Sequence, residues 1–313
     1  SKSIRGIELL ATRDTFGSEL INCAENNDNI LVLSADLSKP TRTDKFAAKY
    51  PDRFFEVGIA ESNMIGIASG LSEHGFKVVV TSFATFLTGK YDVVRISIAY
   101  SNAPVILVGS HGGLAIGKDG VTQMGLEDMS IMRSLPNMKV MQPATPIEAQ
   151  KMIEYLLTTD LTGPVYLRLG RQPIPEVFDE NYKFTPERGV VCRDGQELAI
   201  FVTGCLLDEV LKAVQDSKKD CAVINIHTIK PIDKQILLKY AKQCGKIMTV
   251  EDHSIIGGLG SAVSEVLSEE YPTLQKRIGL NDIFPESGSP SDLWEKYGLS
   301  SKSITNSILQ FLN

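Results

Sequence analysis

Three short stretches of the sequence carry side chains that could do chemistry. The first, Phe55 to Met64, places the carboxylic acid Glu61 in an apolar setting just ahead of a helical pattern. A carboxyl group shielded from water can stay protonated near neutrality and act as a proton donor. The simpler interpretation is a glutamate in the first turn of a helix, where its charge stabilises the helix dipole. Spacing alone favours the simpler interpretation.

The second and third stretches follow predicted strands. Phe83 and Phe86 stand three residues apart at the end of a strand, where they could line a slot for a flat heteroaromatic ring or pack in the core. The glycine-rich stretch Ser110 to Gly120 carries His111 and Asp119 and begins at the carboxyl end of a strand. Open α/β sheets bind ligands at that edge, so this loop is a candidate site.

The elements that must position these residues alternate between short apolar strands and helical patterns. Such alternation indicates βαβ units around mostly parallel sheets, and 313 residues correspond to about two domains. Pro173, Pro175 and Pro186 break the pattern between Arg171 and Gly189, which we interpret as a linker. We therefore predict an α/β fold of two tandem open, mostly parallel-sheet domains with helices on both faces, over residues 1–180 and 190–313.

Composition excludes several classes of function. The net charge of -6 without a basic patch argues against nucleic acid binding. No apolar run approaches the roughly 18 residues of a membrane span, and Ser1 to Arg13 lacks the apolar middle of a secretion signal, so we expect a cytoplasmic protein. The five cysteines are scattered without C-x-x-C spacing, which argues against a metal site or a disulfide framework in this chain.

In this order and at these distances, the three stretches resemble the pyrimidine-binding domain of transketolase. Val250 to Ser254 with Gly257 and Gly258, and Ile226 to Asp233, look like the C-terminal domain of the same family. The family's N-terminal domain, with a Gly-Asp-Gly motif and a following asparagine that hold the diphosphate through a divalent metal, has no counterpart here. The chain therefore resembles the C-terminal subunit of a split transketolase.

The resemblance implies a cofactor and a partner. Thiamine diphosphate would lie between this chain and a separate N-terminal subunit, which would carry the Gly-Asp-Gly motif and a Mg²⁺ or Ca²⁺ ion, in an expected α2β2 heterotetramer. Glu61 matches the glutamate that shares a hydrogen bond with the aminopyrimidine N1′, which makes it a catalytic residue. Phe83 and Phe86 match the pocket for the pyrimidine ring, and Asp36 falls near the thiazolium.

The resemblance also implies a substrate. The chain would transfer a two-carbon ketol unit from a ketose phosphate to an aldose, and only together with its partner. His111, also expected to be catalytic, and Asp119 match residues that contact the donor's hydroxyls, with Gln123 where members have histidine or glutamine. Arg13 and Arg171 match arginines that bind the sugar phosphate. Pro40 occupies the place of an expected serine, which leaves a sulfonate open as the anion.

Two rival functions stay open from the sequence. The β subunit of a thiamine-dependent 2-oxoacid dehydrogenase has similar length and domain order, but the loop with His111, Asp119 and Gln123 favours a sugar. A non-catalytic regulatory subunit is the second rival, and the retained Glu61 and Phe83 count against it.

Overall fold

The computed structural model describes residues 9–313. The first eight residues of the predicted domain 1–180, and most of the segment tested for a secretion signal, lie outside the described residues. No helix within 9–313 is long and apolar enough to cross a membrane.

Two mostly parallel sheets with helices on both sides form the fold, as predicted. The strands are β1 Ile30–Ser34, β2 Phe54–Glu56, β3 Lys77–Phe83, β4 Val105–Ser110, β5 Lys139–Met141, β6 Val165–Arg168, β7 Val190–Arg193, β8 Leu198–Val202, β9 Cys221–Asn225, β10 Thr228–Lys230, β11 Lys246–Ser254 and β12 Leu274–Leu280. Every residue of β1, β4, β6, β8 and β9 is buried. Burial on both faces explains why these strands are almost continuously apolar.

Helices connect the strands. The α-helices are α1 Thr12–Ala24, α2 Asp44–Lys49, α3 Glu61–Glu73, α4 Ala84–Thr88, α5 Tyr91–Val93, α6 Asp128–Ser134, α7 Pro146–Thr158, α8 Leu207–Ser217, α9 Lys234–Cys244, α10 Leu259–Glu270, α11 Pro290–Lys296 and α12 Ser301–Leu312. A π-helical segment, Val94–Tyr100, continues α5, and 3₁₀ turns cover Pro51–Arg53, Leu114–Asp119, Val121–Gln123 and Gly204–Leu206.

The first sheet includes one strand that the sequence did not predict there. Its order is β10-β5-β6-β4-β3-β1-β2, and β10 pairs antiparallel with β5 although it follows the linker in the chain. The second sheet, β12-β11-β8-β9-β7, is parallel except for β7. One apolar cluster also contains residues of both sheets, among them Val105 and Phe201. The two halves are therefore tandem in sequence but share a core.

Two helix starts show how local sequence sets the elements. Thr145, Pro146 and Glu148 have the sequence pattern of a capping box at the start of α7, and half of it forms: Thr145 Oγ1 accepts the Glu148 N–H at 3.2 Å with Pro146 at the first helical position. A glycine pair, Gly257 and Gly258, leads into α10. The structure places a residue of the chain there: the Glu251 carboxylate accepts the N–H groups of Leu259 and Gly260 at 2.7 and 2.8 Å.

Candidate active site

The predicted site residues gather at the carboxyl edge of the first sheet. Asp36 follows β1, Glu61 begins α3 shortly after β2, and Phe83 ends β3. His111 directly follows β4 and Arg171 comes shortly after β6. These five strands are parallel, so their carboxyl ends share one edge. Arg13 reaches the same edge, because its backbone N–H donates to Gly170 O at 3.4 Å at the start of α1.

Aromatic rings form a small stack at this edge. Phe83 and Phe86 lie with ring centroids 5.4 Å apart and an interplanar angle of 19°. The His111 ring covers Phe83 on another side, with centroids 3.9 Å apart. Phe83 is buried while Phe86 is half-buried, so the pair keeps some aromatic surface accessible. The rings pack on one another as the core interpretation predicts, and the slot for a flat ring stays a prediction.

His111 is held between a hydroxyl and a guanidinium. Arg13 Nη1 lies 3.0 Å from His111 Nε2, and Ser110 Oγ lies 2.7 Å from Nδ1. Because a guanidinium only donates, Nε2 must accept, and the imidazole proton therefore sits on Nδ1 and is donated to Ser110. Burial, followed by the charges of Arg13, Arg171 and Arg42, lowers the pKa of His111 to about 3. His111 is a neutral imidazole at physiological pH.

Arginines give the site a net positive charge. Burial, followed by the charge of Arg42, lowers the pKa of Arg13 to about 10, so Arg13 stays charged. Its Nη1 also donates to Pro40 O at 3.0 Å, while its buried Nε has no hydrogen-bond partner among residues 9–313. Arg171 Nη1 donates to Asp119 Oδ2 at 2.6 Å and to Ile116 O at 3.2 Å. Arg42 is paired with Asp14 and Arg171 with Asp119, so the three arginines leave a net positive charge of one beside the neutral histidine, which suits an anionic ligand.

Glu61, Asp36 and Gln123 make no side-chain hydrogen bond to this cluster in the part of the chain that the structure describes. The Glu61 side chain is 8% exposed and makes no hydrogen bond to another residue in the range 9–313. Asp36 is exposed in a left-handed conformation, φ 58°, and Gln123 is half-buried in its 3₁₀ turn. No side-chain hydrogen bond joins either of them to the described part of the chain. The roles assigned to all the site residues stay predictions.

Sequence reasoning missed the residues that hold the site in shape. Glu56 Oε1 accepts the N–H of Asp36 at 2.6 Å and that of Gly58 at 3.2 Å, and so ties together the loops that carry Asp36 and Glu61. Arg42 adds charge beside His111. Glu56 lies inside the stretch that drew attention to Glu61, but nothing in its spacing signalled a backbone contact. Within residues 9–313, no group of three or more His, Cys, Asp or Glu side chains is arranged to hold a metal ion.

Fold and site together define a class: a two-sheet α/β protein with an aromatic slot and a cationic cluster at one sheet edge. Comparison with known proteins narrows that class to a family. Residues 8–176 match the model of the transketolase pyrimidine binding domain, and residues 187–304 match that of the transketolase C-terminal domain. The chain belongs to the transketolase family.

Its relatives include a transketolase C-terminal section and a transketolase subunit. It is 38% identical to the putative transketolase C-terminal section of Methanocaldococcus jannaschii over 305 residues, 95% of each chain. It is also 38% identical to the 6-deoxy-6-sulfo-D-fructose transketolase subunit of Clostridium sp. (strain MSTE9), over 93% of this chain and 91% of that one. A solved structure, a split gene transketolase described as an inactive beta4 tetramer, superposes with a TM-score of 0.89 at 39% identity, covering 97% and 98% of the two chains. The dehydrogenase and regulatory rivals are not favoured.

Proposed function

We propose that this chain is one subunit of a thiamine diphosphate-dependent transketolase. It would supply the pyrimidine side of the cofactor site and the donor site, and a separate subunit with the Gly-Asp-Gly motif would supply the diphosphate side with its metal. The observation that carries this proposal is the combination of the Phe83–Phe86 pair with a buried Glu61 that has no partner among residues 9–313. A flat ring with a basic nitrogen would complement both features.

The cofactor, when bound, supplies the carbon nucleophile that cleaves the ketose. Phe86 would offer its accessible face to the pyrimidine ring, and the His111 ring packs against that of Phe83. The Glu61 carboxyl group would share a hydrogen bond with the ring nitrogen, and its low exposure, 8%, would limit competition from water. The divalent metal of this proposal would be held by the partner subunit.

The donor is proposed to be a ketose that ends in a tetrahedral anion. Arg13, Arg42 and Arg171 provide the positive charge, and Arg171 offers a half-exposed guanidinium. An anion that attracts Arg13 Nη1 would release His111 Nε2, whose lone pair could then accept a hydrogen bond from a donor hydroxyl. In this way anion binding and hydroxyl recognition are coupled. Phosphate and sulfonate groups are both tetrahedral anions, and one relative is named for a sulfonated sugar.

An exposed apolar face beside Glu61 supports the need for a partner. Ile59 is 82% exposed and Tyr100 is 84% exposed. Phe55, Tyr91 and Ile96 are also exposed, and α3 packs against the π-helical segment that carries two of these side chains. A monomer rarely exposes so many large apolar groups together. We propose that this face is covered in the assembled enzyme.

Co-expression with the candidate N-terminal subunit tests the proposal. The purified complex is expected to bind thiamine diphosphate and to transfer ketol units from phosphorylated or sulfonated ketoses, while this chain alone is inactive. Ile59→Arg is expected to abolish co-purification without unfolding the chain. Phe284→Arg is the matched control, because Phe284 is equally exposed, at 82%, in the second half. Full activity of the chain alone, or a complex that transfers no ketol unit, would refute the proposal.

A further inference from the structure

A buried carboxylate in the second half of the chain reaches the loop that carries His111 and Asp119. Asp252, in β11, is 1% exposed, and its Oδ1 accepts the Leu114 N–H at 2.9 Å. Leu114 begins the 3₁₀ turn that ends at Asp119. The two residues are 138 positions apart in sequence. One side chain of the second half therefore fixes the start of the turn.

The preceding residue must be glycine for this contact. Gly113 has φ +81°, and a Cβ atom there would lie 2.3 Å from Asp252 Oδ2. The left-handed conformation and the close approach both exclude a side chain. Gly113 N–H also donates to Gly125 O at 2.7 Å. The backbone before the turn is thus held from two directions.

Other groups keep the carboxylate of Asp252 in place. Trp294 Nε1 lies 3.4 Å from Oδ2, and Cys205 Sγ lies 3.7 Å from the same atom. Arg168 Nη2 donates to the backbone oxygens of Asp252 at 3.0 Å and of Gly125 at 2.8 Å. Asp252 is therefore hydrogen-bonded at both its main chain and its carboxylate. An acceptor fixed by several contacts can determine where the loop lies.

The far end of the turn leads to the cationic cluster. Arg171 Nη1 contacts both Ile116 O and Asp119 Oδ2. A turn that moves at Leu114 would displace both acceptors of Arg171. The path from β11 to the site runs from Asp252 to Leu114 through a hydrogen bond and from Leu114 to Ile116 along the backbone. A second hydrogen bond then joins Ile116 to Arg171.

We propose that Asp252 is a positioning residue for the donor site. This inference rests on the proposed transketolase function, because it assigns the loop to donor recognition. Asp252 touches no substrate. It holds the turn so that Asp119 and Arg171 meet the donor in one fixed arrangement, and the second half of the chain thereby contributes to substrate affinity.

The test compares Asp252→Ala with Asp252→Asn in the reconstituted complex. Asp252→Ala removes the acceptor and is expected to raise the donor KM about tenfold, since a buried N–H loses its partner, with the acceptor KM unchanged. Asp252→Asn keeps an oxygen of the same reach and is expected to restore most of the donor affinity. Glu251→Ala is the matched control: the neighbouring buried carboxylate holds α10 instead of the loop, so stability falls and the donor KM stays.

A second readout does not depend on activity. Hydrogen exchange of the Leu114 amide in the full chain is expected to accelerate at least about tenfold in Asp252→Ala and to stay slow in Glu251→Ala. If Asp252→Ala does not fold, Asp252→Ser, whose hydroxyl is too short to reach Leu114, is measured for the same two quantities. An unchanged donor KM or unchanged exchange in the folded variant overturns the inference. A wild-type complex without ketol transfer overturns the proposed function instead, and the exchange result then stands alone.

Discussion

The protonation of His111 is the most direct test of the site's electrostatics. The pKa of this imidazole is lowered to about 3, first by burial and then by Arg13, Arg171 and Arg42. Relative to the ordinary value of 6.5, this corresponds to about 5 kcal/mol against the charged form. The folded chain therefore excludes a proton that the unfolded chain binds. The contribution of His111 to the free energy of unfolding is fully present above pH 6.5 and is lost as the pH falls toward about 3.

Arg13→Gln separates the causes of that shift. The substitution removes the charge that lies 3.0 Å from Nε2 and leaves the burial in place. We expect the pKa of His111 to rise by about one pH unit and to remain below 6.5, since burial is the larger cause. Arg188→Gln, which removes an exposed arginine in the linker region, is the control and is expected to leave the pKa of His111 unchanged.

Nuclear magnetic resonance of histidine-labelled chain measures this directly. The sequence contains 4 histidines, so the imidazole signals are few, and His111→Gln assigns the one of interest. The wild-type signal of His111 is expected not to titrate above about pH 5. A wild-type pKa of His111 near 6.5, or an Arg13→Gln variant with the same pKa as wild type, would refute the electrostatic account of the site.

Three further predictions concern other parts of the molecule. Glu61→Gln in the reconstituted complex is expected to leave folding intact and to lower kcat about 10²- to 10⁴-fold, and near-normal turnover would contradict its catalytic role. Arg171→Ala is expected to raise the donor KM about 10- to 100-fold with little change in kcat; an unchanged KM would remove Arg171 from the anion site. Burial raises the pKa of Glu251 to about 7 from 4.5, so its contribution to stability, about 3 kcal/mol, is lost as pH rises through that range. Urea unfolding of Glu251→Gln should therefore show a gain over wild type that grows from pH 5 to pH 8, and a pH-independent difference would contradict the assignment.

The sequence predicted those elements whose signals are local. The run Val78 to Val80 gives β3 apolar side chains on both faces of the sheet, as expected for a strand between two helical layers. The capping residues Thr145 and Pro146 mark the start of α7 in the sequence itself. The antiparallel strand β10 was not predicted in the first sheet, because three residues carry no period and their partner Met141 lies far back in the chain. Whether a strand of one half joins the sheet of the other half depends on how the two halves pack, which local sequence does not show.

The candidate site was predictable only as a set of residues, and its couplings were not. Glu61 occupies the first turn of α3, as the simple interpretation held, yet it is also buried, which spacing could not decide. The contact between Arg13 and His111 joins positions 98 residues apart, so neither residue's neighbours in sequence foretell a neutral histidine. Contacts and pKa values that arise where distant chain segments meet at the sheet edge therefore could not be predicted from sequence patterns.

The run Glu251, Asp252 and His253, which contributed to the family resemblance, also carries information about packing that the sequence analysis did not use. Three consecutive ionisable residues in a strand that is covered on both sides must each find a partner, because burying an unpaired charge is costly. Glu251 binds the start of α10 and Asp252 binds Leu114. His253 accepts the Ser130 N–H at 3.4 Å, and burial lowers the pKa of His253 to about 4. One short run therefore secures its own domain with the first residue and contacts the other half of the chain with the next two. Consecutive ionisable residues near the end of a buried strand are thus a sequence-level indication of contacts between domains.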